Sequence, residues 1–445
     1  MERGSESKNA NKQRNTGGKE TRSGRHHASR WYRRPAIVVS LALLILAIGG
    51  TAAVFFYATS SSADERTVGE TAMQMVPADP EEAPIPEITP LASASEQVVA
   101  AMPLEEKIGQ MMMIGFEGGG LDAGVREAIQ QRYVGGIIIF DRNIASHEQV
   151  AGMNAALQQL AVEAGHRAKL MIALDQEGGK TRRFTDIGPF YSQPMIGEMH
   201  DAAPGAAQLQ ASAAARDLKQ LGFNTNLAPV ADVSAGWGTV MDVRSFSYDA
   251  EFTAELTARA VKGYKSASFI SCAKHFPGHG SADGDSELNL PTVESDLETI
   301  QGTDLPPFAA AIEVGVPMIM TAHLAVPALD ATGTPATLSR PIITDLLRGS
   351  MGFEGVVITD DLEMGAIMDS YGIGEAAVIS VMAGADIVMV AHTPELQRDA
   401  YDALVEAVKS GQIKESDIDK SVVRILDMKK KYRLGLDPAS DSQAE

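Results

Sequence analysis

Lys274-His275-Phe276-Pro277-Gly278-His279-Gly280 is the segment of this chain richest in groups able to do chemistry. A short run, Ile270-Ser271-Cys272-Ala273, delivers Lys274 and His275, and a Pro-Gly-His-Gly turn follows. Beyond it a polar loop carries Asp283, Asp285 and Glu287. Cations and carboxylates gathered past one strand end suit a polyhydroxylated ligand, because charge-assisted hydrogen bonds fix hydroxyls firmly. They also bring a proton donor close. A loop that is merely charged and solvated is the alternative. Against it, Asp175, Asp232, His323 and Asp360 each follow another apolar run in the same way.

The elements that must position these groups are eight short apolar runs. They are Met111–Gly115, Gly136–Phe140, Leu170–Leu174, Asn224–Pro229, Phe269–Ala273, Pro317–Thr321, Gly355–Thr359 and Asp386–Val390. Helical patterns lie between or after them: Ala123–Gln131, Glu148–Ala164, Ala206–Leu221, Ala250–Ser266, Asp304–Glu313, Arg340–Arg348 and Leu396–Ser410. Strands alternating with helices predict a parallel sheet. Eight such units predict a closed α/β barrel, (β/α)8 of the TIM type, over residues 96–436. A doubly wound open sheet is the alternative, but no GxGxxG follows the first run. In a barrel the C-terminal strand ends converge on one face, which is where active sites of this architecture lie. Asp360 is the first polar side chain after Gly355–Thr359, so a rigid strand would aim it at the barrel mouth. Asp361 is expected to point the other way and to cap the helix that follows, since successive side chains alternate in extended chain.

Four further segments extend the pattern: Met102–Gln110, Asp175-Gln176-Glu177-Gly178-Gly179, Leu227–Val233 and Ile358–Met364. Together with Lys274–Gly280 and the Asp285-Ser286 pair beyond it, they resemble glycoside hydrolase family 3, in its β-N-acetylglucosaminidase branch. The resemblance runs from Met102 to about Leu434. It implies a retaining exo-glycosidase acting on terminal β-linked N-acetylhexosamine of cell-wall (muropeptide) or chitin-type oligosaccharides. It places the nucleophile at Asp360 and sugar-binding roles at Asp175, Arg183, Arg244, Lys274 and His275. About ten residues follow Leu434, so the second α/β domain of the family's β-glucosidases is not expected. The loop departs from the family pattern. Where the family has Asp-Ser-His, with the histidine as acid/base held by the aspartate, this chain has Asp285-Ser286-Glu287. Glu287 is therefore the acid/base candidate, since a glutamic acid with a raised pKa can protonate a leaving oxygen. Asp285 is its support or substitute and His279 a second substitute. His323 and Asp232 are expected to support other groups rather than touch sugar. Loss of the histidine also leaves open a sugar-binding protein with impaired catalysis, and a β-glucosidase-type activity is a further alternative.

No cofactor is called for, and no metal. His275 and His279 are four apart, but Pro277 and Gly278 between them exclude helical ligand spacing. A metallohydrolase using His275, His279 and His323 is the weaker alternative. The lone cysteine, Cys272, forbids a disulfide framework and reads as core packing. Net charge is −20, but residues 1–34 carry ten Lys/Arg against three Glu, which is +7 and leaves −27 for the rest. So acidic a body argues against a nucleic-acid partner. The basic segment, 1–35, precedes Ala36–Tyr57, which has no charge in 22 residues. That is long enough to cross a hydrocarbon core of about 30 Å as a helix. Arg30, Arg33 and Arg34 before it predict a cytoplasmic N-terminus and a body outside. A membrane anchor is favoured over a signal peptide cleaved near Ser61-Ser62-Ala63, because the apolar stretch exceeds the usual signal core of about 7–15 residues. Residues 58–95 are rich in Pro and acid and read as a stalk reaching roughly 120 Å at about 3.3 Å per residue. Residues 437–445 read as a disordered tail. Oligomeric state is not legible.

Overall fold

The computed structural model describes residues 93–435, except 237, 238, 283 and 285. The basic segment, the apolar stretch Ala36–Tyr57, nearly all of the stalk, the tail 437–445 and Asp285 lie outside the described residues. Among the described residues, no helix is long and apolar enough to cross a membrane.

The eight expected strands form and close. They are β1 (Met112–Ile114), β2 (Gly136–Ile138), β3 (Met171–Leu174), β4 (Thr225–Asn226), β5 (Ile270–Phe276), β6 (Met318–Thr321), β7 (Val356–Asp361) and β8 (Ile387–Val390). Each pairs in parallel with the next, and β8 returns to β1 with Met112 opposite Val388. The strands are apolar because a parallel barrel buries both faces, one on the barrel interior and one on the helices. Only Asp360 interrupts the buried run of β7.

Three strand ends differ from the sequence reading, and each difference moves the site. β4 is only two residues long. Beyond it the chain still runs along β5, with Cys272 N–H donating to the Ala228 carbonyl, Lys274 N–H to the Pro229 carbonyl, and a bridge between Val230 and Lys274. β5 continues to Phe276, so Lys274 and His275 are strand residues rather than loop residues. β7 likewise carries Asp360 and Asp361 within the strand. The helix after β7 starts at Gly365, not Leu362, and its N-cap is Met364 rather than Asp361.

The outer helices form close to where they were expected. Ala250–Ser266 has the predicted bounds, set by Asp249, whose carboxylate accepts from the Phe252 N–H. The expected helix at 340–348 is π-helical over Pro341–Ser350. Two long helices were not read from the sequence. Ile373–Ala383 is apolar nearly all round, so it shows no polar stripe. Glu415–Lys431 buries Ile418, Val422, Ile425 and Leu426.

Candidate active site

The strand ends build a cleft of about 350 Å³ at the C-terminal face of the barrel. Asp175, Arg183, Arg244, Lys274, His275, His279, Glu287 and Asp360 all line it. The structure thus brings together every described site residue expected from the sequence. A second cleft, about 370 Å³, lies at the N-terminal ends of β6 and β7, around Val316, Phe353 and Tyr432. It holds none of these groups. In a (β/α)8 barrel that end serves stability rather than chemistry.

One wall is an alternating chain of charges. Lys274, at the end of β5, is 3% exposed and could not stay charged there alone. Its Nζ lies 2.6 Å from Asp175 Oδ1 and 2.8 Å from Glu177 Oε1. Burial pushes the ammonium down, but Asp175 and Glu177 outweigh it and hold the pKa above the ordinary lysine value. Glu177 also accepts from Arg244, through Nε at 3.0 Å and Nη2 at 2.7 Å. Burial would raise the Glu177 carboxyl, but the Arg244 and Lys274 charges hold it well below the usual range. Arg183 donates to Asp175 Oδ2 at 3.1 Å, closing the other end of the chain. Arg183 also lies over the Phe140 ring, 5.3 Å from its centroid.

Asp232 holds the turn. It is wholly buried, which would raise its pKa, but His275 and His279 beside it keep it lowered. Its carboxylate accepts from the backbone N–H of His275 and, at 2.7 Å, of His279. It lies 2.8 Å from His275 Nδ1, so that nitrogen carries a proton and Nε2 faces Arg244 Nη2 at 3.4 Å. The turn itself passes so close to β4's exit that a β-carbon on Gly280 would sit 1.6 Å from the Val233 carbonyl oxygen. Only glycine fits there. His279 is buried, with Nε2 3.3 Å from Ser286 Oγ. Burial pushes its imidazolium down, though Asp232 opposes that.

The floor carries Asp360. Burial raises its carboxyl, yet His275, His323 and Lys274 more than offset this, and the pKa is lowered. A half-buried carboxylate kept ionised at a barrel mouth is suited to attack an electrophilic carbon. Asp361 does not turn away as the alternation predicted. Register between β7 and β8 shifts from Ile358 to Asp361, and both aspartates line the cleft. Asp361 Oδ1 accepts from the N–H groups of Ala391 and Glu363, each at 3.1 Å. Its Oδ2 lies 3.2 Å from Nε2 of His392. His323 supports this turn and touches no open space: Nε2 donates to the Asp361 carbonyl at 2.9 Å and Nδ1 accepts from Thr337 at 2.8 Å. The imidazole rings of His275, His279 and His323 thus each have separate partners, and among the described residues no His/Cys/Asp/Glu group has metal-holding geometry.

Glu287 lines the cleft from the loop after β5, on an exposed stretch. Met241, Met320, Met364 and Met389 supply much of the apolar lining. Glu177, Asp361 and His392 were missed in the sequence. Glu177 had a signal, since it stands two residues after Asp175 and shares its face in extended chain. His392 had one too, as a polar residue just past β8. Asp361 had none, because the register shift that turns it inward is not written locally.

A closed parallel barrel with carboxylates, arginines and a lysine at its C-terminal mouth defines a site for a polar, hydroxyl-rich ligand. The sequence matches the Glycosyl hydrolase family 3 N terminal domain over residues 103–428. This chain belongs to glycosyl hydrolase family 3, a family of glycoside hydrolases. It is similar to Beta-hexosaminidase A of Pseudoalteromonas piscicida, 35% identical over 334 residues, which are 68% of this chain and 54% of that one. A Beta-hexosaminidase of Xanthomonas oryzae pv. oryzae is 34% identical over 299 residues, 66% of this chain and 87% of the relative. The solved structure of a glycoside hydrolase family 3 β-N-acetylglucosaminidase from Paenibacillus sp. str. FPU-7 superposes with a TM-score of 0.73 at 42% identity. That match covers 75% of this chain and 63% of the other. The chain therefore spans only about half to two thirds of the length of two of these relatives.

Proposed function

We propose that this chain removes terminal β-linked N-acetylglucosamine from oligosaccharides by a retaining double displacement. What carries the reading is Asp360: an ionised carboxylate at a strand end, walled by Asp175, Lys274, Arg183 and Arg244, with Glu287 on a separate loop at the same cleft. The relatives' names give the glycone. In the first step an Asp360 oxygen attacks the anomeric carbon while the bond to the aglycone oxygen breaks. Glu287 delivers its proton to that oxygen. In the second step Glu287 takes a proton from water, the water oxygen bonds to the anomeric carbon, and the ester to Asp360 breaks. Muropeptide-type or chitin-type chains are the substrates that suit an enzyme held outside a membrane by Ala36–Tyr57 on a long stalk.

The acid/base role is tested by Glu287→Gln. Hydrolysis of a natural disaccharide should collapse, while a 2,4-dinitrophenyl N-acetylglucosaminide, whose leaving group needs no proton, should still form the glycosyl-enzyme. Azide should then restore turnover, because it needs no general base. Wild-type behaviour on the disaccharide would pass the role to Asp285 or His279. A protein that binds N-acetylglucosamine but turns over neither substrate would support the alternative of a sugar-binding protein. The membrane reading predicts that activity sediments with membranes; a mature soluble protein starting near Asp64 would replace it with a cleaved signal.

A further inference from the structure

Gly365 lies outside the cleft lining, yet it joins two parts of the site. It is the first residue of the helix Gly365–Met368, four residues past the end of β7. Its N–H donates to the Glu287 carbonyl at 3.2 Å, and the Ala366 N–H donates to the Ser286 carbonyl at 3.2 Å. The loop backbone lies directly on the glycine. A β-carbon at Gly365 would sit 2.9 Å from the carbonyl oxygens of both Glu287 and Leu288. Those atoms are backbone, so they cannot rotate away as a side chain could. The β7 side of the contact is itself fixed. Asp361 is pinned through its carbonyl by His323 and through its carboxylate by Ala391 and Glu363, and Met364 N–H donates to the Asp361 carbonyl at 3.1 Å.

We propose that Gly365 is a positioning residue that seats the Glu287 loop on the exit of the strand carrying Asp360, and so sets where Glu287 stands relative to the nucleophile. The inference rests on Glu287 being the acid/base. Two backbone bonds and one missing side chain hold the two reacting groups in one frame, although Asp360 stands on β7 and Glu287 on the loop after β5. Without the seat the loop would still exist, but proton delivery would become the weak step, while attack by Asp360 would not.

The experiment compares Gly365→Ala, Glu287→Gln and the double variant on two substrates, a natural disaccharide and the 2,4-dinitrophenyl glycoside. Gly365→Ala should lower kcat/KM on the disaccharide by about 10- to 100-fold, the range expected for a shift of about 1 Å in a reacting group. The aryl glycoside should lose less than about threefold in the glycosylation step. The double variant should be no worse on the disaccharide than Glu287→Gln alone, since both changes remove the same proton transfer. Thermal unfolding checks the fold of each variant. If Gly365→Ala does not fold, Ala366→Pro removes the other N–H donor without adding a β-carbon at the crowded position, and carries the same expectation. Equal losses on both substrates, or multiplicative losses in the double variant, overturn the proposal. Wild-type kinetics in Gly365→Ala with a crippled Glu287→Gln overturn the seat and leave the acid/base reading standing. A Glu287→Gln variant that behaves as wild type overturns both.

Discussion

Glu177 offers the sharpest test of how the site is built, because it is buried and holds two cations that face the cleft. It accepts three charge-assisted hydrogen bonds, two from Arg244 and one from Lys274. Glu177→Gln keeps the shape and removes the charge. The amide oxygen can keep part of this set, but the amide nitrogen is itself a donor and must face a donor. Breaking a buried ion pair from one side costs about 3–5 kcal/mol. Lys274 keeps Asp175 at 2.6 Å, and glutamine keeps some hydrogen bonding, so about 2–4 kcal/mol is expected. The loss is read as a lower urea midpoint with unchanged slope. In kinetics, Arg244 and Lys274 lose their aim, and kcat/KM on an aryl N-acetylglucosaminide should fall about 10- to 100-fold, chiefly through KM, because these groups bind ground state and transition state alike. The pH dependence adds a second reading. The Glu177 carboxyl is held below its ordinary value of 4.5, so its contribution is fully present above that pH and is lost as pH falls. The stability gap between wild type and variant should therefore be widest near pH 7 and narrow toward pH 3. A variant with wild-type midpoint and wild-type KM would refute the view that Glu177 organises the wall.

Asp360→Asn should leave the fold intact and lower turnover by several orders of magnitude; a mechanism-based fluoro-sugar label that maps to any other residue would remove Asp360 as nucleophile. His166 is buried, with Nε2 2.8 Å from the Ile129 carbonyl, and burial pushes its imidazolium down to about 4. Its stabilising effect is present above the ordinary 6.5 and is lost as pH falls toward 4, by about 3 kcal/mol in all. His166→Gln should flatten that part of the stability profile, and an unchanged profile would count against it. A chain beginning at Ser93, whose side chain caps the first described helix, should fold cooperatively and stay soluble; aggregation would show that the preceding segment is needed.

The barrel was legible because its signals are local. Eight apolar runs of strand length and the caps between them depend on near neighbours, and all eight appear close to their expected places. The polar residues at strand ends were legible for the same reason, and Asp360, Lys274 and His275 converge as barrel geometry requires. What stayed hidden depends on partners distant in sequence. Asp361 turns inward because β7 and β8 change register, which no spacing along Ile358–Met364 records. Gly365 reads as an ordinary loop glycine until the Glu287 loop is laid against it. The Arg244–Glu177 pair joins residues 67 apart, so an ion pair and a sugar ligand look alike in sequence. Arg244 is in fact both paired and cleft-lining.

The methionines of the cleft make its two surfaces mechanically unlike. The charged wall is stiff, since each side chain is tied to two neighbours and a changed hydroxyl on the sugar leaves a buried charge unanswered. Met241, Met320, Met364 and Met389 are unbranched thioethers with three rotatable bonds each, and such surfaces reshape at low cost. If the proposed N-acetylglucosamine sets its ring hydroxyls against Asp175 and Lys274 and its acyl group against the thioethers, selectivity should be anisotropic: strict for the epimer and permissive for the bulk of the acyl group.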